Sequence, residues 1–166
     1  MFKLIGVISV ISSFVFWGLS KSMRLKQRTD SLSLFINMLD WLRTEIEMKQ
    51  THLSDAFELI GTKCQNKCFL MCAEDIDKMG GQDSFSNAVI NTKELYCFLD
   101  EDINIFLEFS INLGMVDLYN QVRRIDETIS KLKKSLSEAQ TTYTQNSKMY
   151  VSISVLAGIF VVLIVL

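Results

Sequence analysis

The chain contains no proline in 166 residues, where ordinary usage of ~5% would supply about eight. Proline removes an i→i−4 hydrogen bond and clashes with the preceding turn, so its absence favours long uninterrupted helices. Glycine is sparse, at seven, too few for the many tight turns of an all-β domain. A single histidine, His52, removes His-based metal clusters and most catalytic triads. There is no Walker A sequence and no Gly-x-Gly-x-x-Gly loop to cradle a phosphate. Cationic surplus is also missing: 17 Lys+Arg face 19 Asp+Glu, a net charge of −2, unlike the basic balance of a nucleic-acid binder. With 49% hydrophobic and 22% charged residues the chain is not of disordered type. No paired reactive groups are visible, so neither an enzyme nor a cofactor is expected.

The apolar residues that are present gather at the ends. Leu4 to Ser20 carries no charge, and neither does Val151 to Leu166, which Met149 and Tyr150 extend. At ~1.5 Å per residue each run approaches the ~30 Å of a bilayer core, and nothing polar marks a face after Val155. The expectation is a transmembrane helix at each end, over 1–22 and 149–166, with a helical domain over 23–148 between them. The first alanine is Ala56, so a small-residue cleavage site is missing and the first run reads as a retained anchor. Lys21, Arg24, Lys26 and Arg28 follow the first run, and Lys131, Lys133, Lys134 and Lys148 precede the second. The positive-inside rule therefore puts the middle in the cytosol and both termini on the far side.

Within the middle, Leu32, Phe35, Leu39, Leu42 and Ile46 repeat at helical spacing. Thr51 is the expected cap of a second helix carrying Leu53, Ala56, Phe57 and Ile60. A third helix is expected over 66–79, stopped by Gly80-Gly81. A fourth, capped by Asp83 or Ser84, turns Phe85, Val89 and Leu95 inward. A fifth runs from Asp100 through Ile103, Phe106, Leu107 and Leu113 to Gly114. Asp117 caps the last helix, where Leu118, Val122, Ile125, Ile129, Leu132, Leu136, Ala139 and Tyr143 alternate at spacings of four and three, a packing seam. The fold class is all-α: a bundle of about six helices, with the first and last packed antiparallel and a homodimer through the same seam as the alternative. Cys64, Cys68 and Cys72 share one helix face but lack the Cys-x2-Cys spacing of a zinc site, so they read as small buried hydrophobes. Glu45, Glu47 and Asp55 form an acidic cluster around the first turn, read either as a solvated face or as a docking patch.

Several short motifs, in order along the whole chain, resemble the stage III sporulation protein AB family of spore-forming bacteria. They are Glu45-Ile46, then Thr51-His52-Leu53-Ser54-Asp55-Ala56, then Leu113-Gly114 with Asp117 and Gln121, and finally Tyr150 before an apolar tail holding Gly158. His52 stands where that family tends to have proline, and Ser154 where glycine is common.

The resemblance implies a non-enzymatic component of a mother cell-to-forespore channel, in the membrane around the forespore during endospore formation. It also implies that the central domain looks like one cytosolic domain of the inner-membrane platform protein of type II secretion machines. The implied partners are a cytosolic hexameric stage III sporulation ATPase of the AA family and other membrane proteins of the same complex. Glu45, Glu47 and Asp55 would then be the docking acids, while Thr51, Gly114 and Asp117 act as structural caps. The competing reading is a generic membrane-anchored coiled-coil scaffold or adaptor.

Overall fold

The computed structural model describes the backbone of residues 2–165 and the side chains of residues 12–161. Among the described residues there are six helices and no strand: α1 (Phe2–Lys49), α2 (Leu53–Lys63), α3 (Lys67–Met79), α4 (Gly81–Tyr96), α5 (Asp100–Ser110) and α6 (Leu118–Val165). The chain divides into two compact units. One comprises 30–136; the other comprises the two ends, 1–29 and 137–166.

The central unit is built on phenylalanine. The α1 stripe predicted from spacing is all inside, with Leu32, Phe35, Leu39 and Leu42 at 0% exposure. Phe35 lies 5.0 Å, centroid to centroid, from Tyr96 and from Phe98, 5.2 Å from Phe106 and 5.9 Å from Phe69. Phe57 of α2 stacks 4.8 Å from Phe69 of α3, and Phe85 of α4 lies 5.2 Å from Phe109 of α5. Most of these pairs are edge-on or tilted, the arrangement that ring quadrupoles favour. One aromatic cluster thus ties five helices together.

Turn chemistry differs from the expectation at several joints. Thr51 does not cap α2. The helix begins one residue later, His52 occupies the cap position without a side-chain bond, and its carbonyl accepts from Ala56 N–H at 3.0 Å. Asn66 caps α3, its Oδ1 accepting from Phe69 N–H at 3.1 Å. Neither Asp83 nor Ser84 caps α4, which starts at Gly81 directly after Gly80. Gly80 has φ +83°, and a Cβ on Gly81 would sit 2.4 Å from the Leu113 carbonyl oxygen. The glycine pair is therefore needed twice, once for a left-handed turn and once for close backbone approach. Phe85 and Val89 of α4 are buried as expected, with Ala88 and Thr92 on the same line, but Leu95 is 51% exposed rather than inward. Helix α5 ends at Ser110 rather than Gly114, because a turn follows in which Leu113 N–H donates to Ser110 carbonyl at 2.9 Å. Gly114, with φ +82°, bends the loop beyond it.

Asp117 does cap α6. Its carboxylate accepts from Asn120 N–H at 3.4 Å and Nδ2 at 2.6 Å, which holds its pKa below the ordinary carboxyl value. Along the seam, Ile125, Ile129 and Leu132 are buried, Val122 and Leu136 half-buried, and Leu118 is 41% exposed at the helix start. Thr128 and Ser135 share the buried line. The seam is thus covered within a single chain, so a homodimer through Ile125, Ile129 and Leu132 would have to unpack this core.

In the unit formed by the chain ends, α1 and α6 meet at small residues. A Cβ on Gly18 would lie 2.3 Å from Ser154 Oγ and 3.0 Å from the Tyr150 carbonyl oxygen. Ser154 is 1% exposed, and its hydroxyl donates to that same carbonyl at 2.7 Å, so no polar hydrogen is left unpaired at the contact. Gly158 is buried one turn on. This small-x-x-x-small pattern lets two helices approach closely. The outward side chains are large and apolar: Phe16, Trp17, Leu156 and Phe160 are all more than half exposed. No helix among the described residues is long and apolar enough to cross a membrane. The expected spans lie partly outside those residues, since only the side chains of 12–22 and 149–161 within them are described, fewer than the roughly 20 residues a bilayer requires.

Candidate functional site

The three predicted docking acids occupy different environments. Glu45 is 4% exposed. Its Oε1 accepts from Trp41 Nε1 at 3.2 Å and from Lys49 Nζ at 2.8 Å. Lys63 of α2 lies 4.8 Å above the Trp41 ring. Trp41, Glu45, Lys49 and Lys63 therefore form an internal knot that fastens α2 to the end of α1. The Lys49 hydrogen bond, helped by that of Trp41, holds the Glu45 pKa below its ordinary value of 4.5 although burial pushes it upward. Glu45 is engaged in holding the fold and is not presented for docking.

That lowered value has a testable consequence. The native state keeps the Glu45 charge to lower pH than the unfolded chain does. The resulting stabilisation is therefore fully present above pH 4.5 and is lost as the pH falls through the folded value. In urea titrations of the full chain, Glu45→Gln is expected to remove part of the acid-dependent loss of stability as the pH falls below 4.5. Identical pH profiles for the two proteins would show that Glu45 does not contribute.

Glu47 and Asp55 are exposed. Glu47 lines a groove of about 390 Å³ between the end of α1 and the start of α6, together with Arg43, Leu118, Tyr119, Val122, Arg123 and Asp126. Arg43 holds the groove together, 3.1 Å from Asp126 and 3.7 Å from Glu47. Tyr119 is 74% exposed. Met48, next to Glu47, and Met115, before Leu118, are likewise largely uncovered. Asp55 lies in the first turn of α2. The α2 start reaches the 111–117 loop, since a Cβ on Gly114 would meet Leu53 at 3.2 Å. The turn at 50–52, the 111–117 loop and the start of α6 thus gather at one end of the central unit. Exposed apolar side chains at one end of a unit, beside charged ones, are the kind of surface that marks a protein contact. The unit as a whole holds eighteen acids against eleven lysines and arginines, a formal −7.

Sequence reasoning found Glu47 and Asp55 but not Tyr119, Met48 or Met115. Tyr119 and Met48 lie off the packing seams of α6 and α1, and Met115 lies in the loop before α6; apolar residues off a seam were the signal available for them. A second groove, of about 410 Å³ between α5 and α6, is lined by Glu108, Arg123, Arg124, Glu127 and Lys131. There Lys131 pairs with Glu108, and Arg123 with Glu127. Its charges are mutually compensated, and it reads as a tie between helices.

Two of the four cysteines, Cys68 and Cys72, are inert core residues. Among the described residues no group of side chains could hold a metal ion. Cys68 and Cys72 are fully buried. Burial pushes the Cys68 thiol up to about 12 and Cys72 further still, which leaves almost no thiolate near neutral pH.

The sequence model of the stage III sporulation protein AB family matches residues 3–166. The chain belongs to this family. A relative from Bacillus subtilis (strain 168), the stage III sporulation protein AB of that organism, is 23% identical over 173 residues, an alignment covering the whole of both chains. No solved structure matches. Membership of the family gives the chain a role in sporulation and places it in no known enzyme family.

Proposed function

We propose that this sporulation protein is a platform component of the mother cell-to-forespore channel complex and docks a cytosolic ATPase through the end of its central unit. In this reading 1–22 and 149–166 are transmembrane helices in the membrane around the forespore. The central unit is then cytosolic and both termini lie on the far side. The observation that carries the docking surface is the uncovered Tyr119 beside Glu47, with Asp55 on the neighbouring α2. Apolar anchors are where binding energy concentrates, and the formal −7 of the central unit steers a partner of the opposite sign. The complementary partner face is therefore basic with an apolar pocket. Glu45, which the resemblance implied as a third docking acid, is left out because it is buried and engaged.

The test is a count of heat-resistant spores from a deletion strain carrying Glu47→Lys and Asp55→Lys together. Each reversal juxtaposes like charges at the proposed contact, and tenfold in affinity needs only about 1.4 kcal/mol. Binding of the ATPase to the purified full chain is expected to weaken by about tenfold or more, and spore counts to fall with it. A stably accumulating variant that restores full spore counts would remove these acids from the contact.

A further inference from the structure

We propose that the unit formed by the chain ends carries a binding collar for anionic phospholipid headgroups, made by Lys21, Lys26 and Lys148 together with Arg24. The inference rests on the membrane reading above and adds which lipid the protein prefers.

Charge is divided sharply between the two units. The unit made of 1–29 and 137–166 has six lysines and arginines against the single acid Glu138, a formal +5, while the central unit is formally −7. The near-neutral total hides this polarity. The Gly18–Ser154 contact fixes how the cations are arranged. It sets α1 and α6 side by side and antiparallel, with Gly18 level with Ser154. Counting outward from that contact, Tyr150 lies level with Ser22 and Lys148 level with Arg24. At 1.5 Å per residue, Lys21, Arg24, Lys26 and Lys148 fall within a band about 5–12 Å beyond the crossing. All four are exposed. Glu138 is about 15 Å along α6 from Lys148, outside the band.

An aromatic marker lies at the inner edge of the band. Trp17 is 54% exposed beside the crossing, and Lys21 Nζ lies 5.9 Å from its ring centroid. Tyr150, level with Ser22, lies about 6 Å beyond the crossing, within the band itself. Indole and phenol rings favour the headgroup level of a bilayer. Cations immediately outside that level face lipid phosphates, at a distance where charge is only partly screened at physiological salt. The cations are spread over two helices at one height. That geometry fits a planar anionic surface better than a protein ligand.

The experiment uses the full chain with Trp41→Phe, which keeps a ring beneath Lys63 and leaves Trp17 as the one indole. The protein is reconstituted in phosphatidylcholine bilayers containing a small fraction of either brominated phosphatidylglycerol or brominated phosphatidylcholine. Brominated acyl chains quench only indoles they approach, so quenching reports which lipid stays beside Trp17. Phosphatidylglycerol is expected to quench about fivefold more effectively at equal mole fraction, with the preference falling as salt rises. Lys21→Gln, Lys26→Gln and Lys148→Gln together should bring the ratio close to one without loss of helix content. Equal quenching by the two lipids in the unsubstituted protein would overturn the collar and leave the membrane reading standing. No quenching by either would overturn the membrane reading and the collar with it.

Discussion

Phe35→Ala is expected to lower the stability of the central unit by about 3–5 kcal/mol, the usual range for deleting a fully buried phenylalanine. The size follows from the position of the side chain. Phe35 is 0% exposed and touches rings from α3, the α4–α5 connection and α5. Truncation would open a cavity that four rigid rings cannot collapse to fill. A domain is typically stable by only 5–15 kcal/mol, so the variant should lose much of its margin. Urea unfolding of the full chain in detergent, followed by circular dichroism, measures the effect. The control is Ile90→Ala, whose side chain is 53% exposed and whose loss should shift stability by no more than about 0.5 kcal/mol. Similar losses for both variants would mean that the aromatic cluster does not hold the unit together.

The second large effect is expected at the helix crossing of the chain ends. Gly18→Ala places a methyl group 2.3 Å from Ser154 Oγ and 2.7 Å from its Cβ, closer than packed atoms tolerate. Overpacking of this kind costs about 1–3 kcal/mol, or several degrees in melting temperature for a chain of this length. Both close side-chain contacts belong to Ser154, so Ser154→Gly in the same chain should restore most of the loss. The Tyr150 carbonyl, 3.0 Å from the added carbon, would leave a residue of strain. Thermal unfolding of the two single variants and the double variant gives the coupling directly. Additive single effects, with no rescue, would show that Gly18 and Ser154 do not pack together. Opposite Gly18 the Ser154 hydroxymethyl group fits, and its hydroxyl bonds back to its own helix.

The Glu45 outcome shows where sequence reasoning about the site reached its limit. Glu45, Glu47 and Asp55 look alike in the sequence as acids near one turn. Glu45 is separated from the others by Trp41 and Lys49, each four residues away on the same helix face, and by Lys63 arriving on α2. The helical spacing of the first two could be read from the chain. The arrival of Lys63 could not, because it depends on how α2 folds back. Tyr119 was equally hidden: its exposure follows from where α1 ends beside α6.

By itself the sequence determined that the protein is helical, where its helices lie to within a few residues, and which α1 stripe faces inward. Those properties come from local causes: the absence of proline, the spacing of apolar side chains, and glycines where the backbone must turn. The ordered motifs from Glu45 to Gly158 also determined the family. The tertiary structure decided the caps of the shorter helices, since His52 rather than Thr51 precedes α2, and that Leu95 of α4 faces outward. It also decided which acid is internal, and how the cations of α1 and α6 come level across the Gly18–Ser154 crossing. These are outcomes of non-local packing. A cap shifts by one residue when the buried face requires it, and an acid is solvated or buried according to what folds over it.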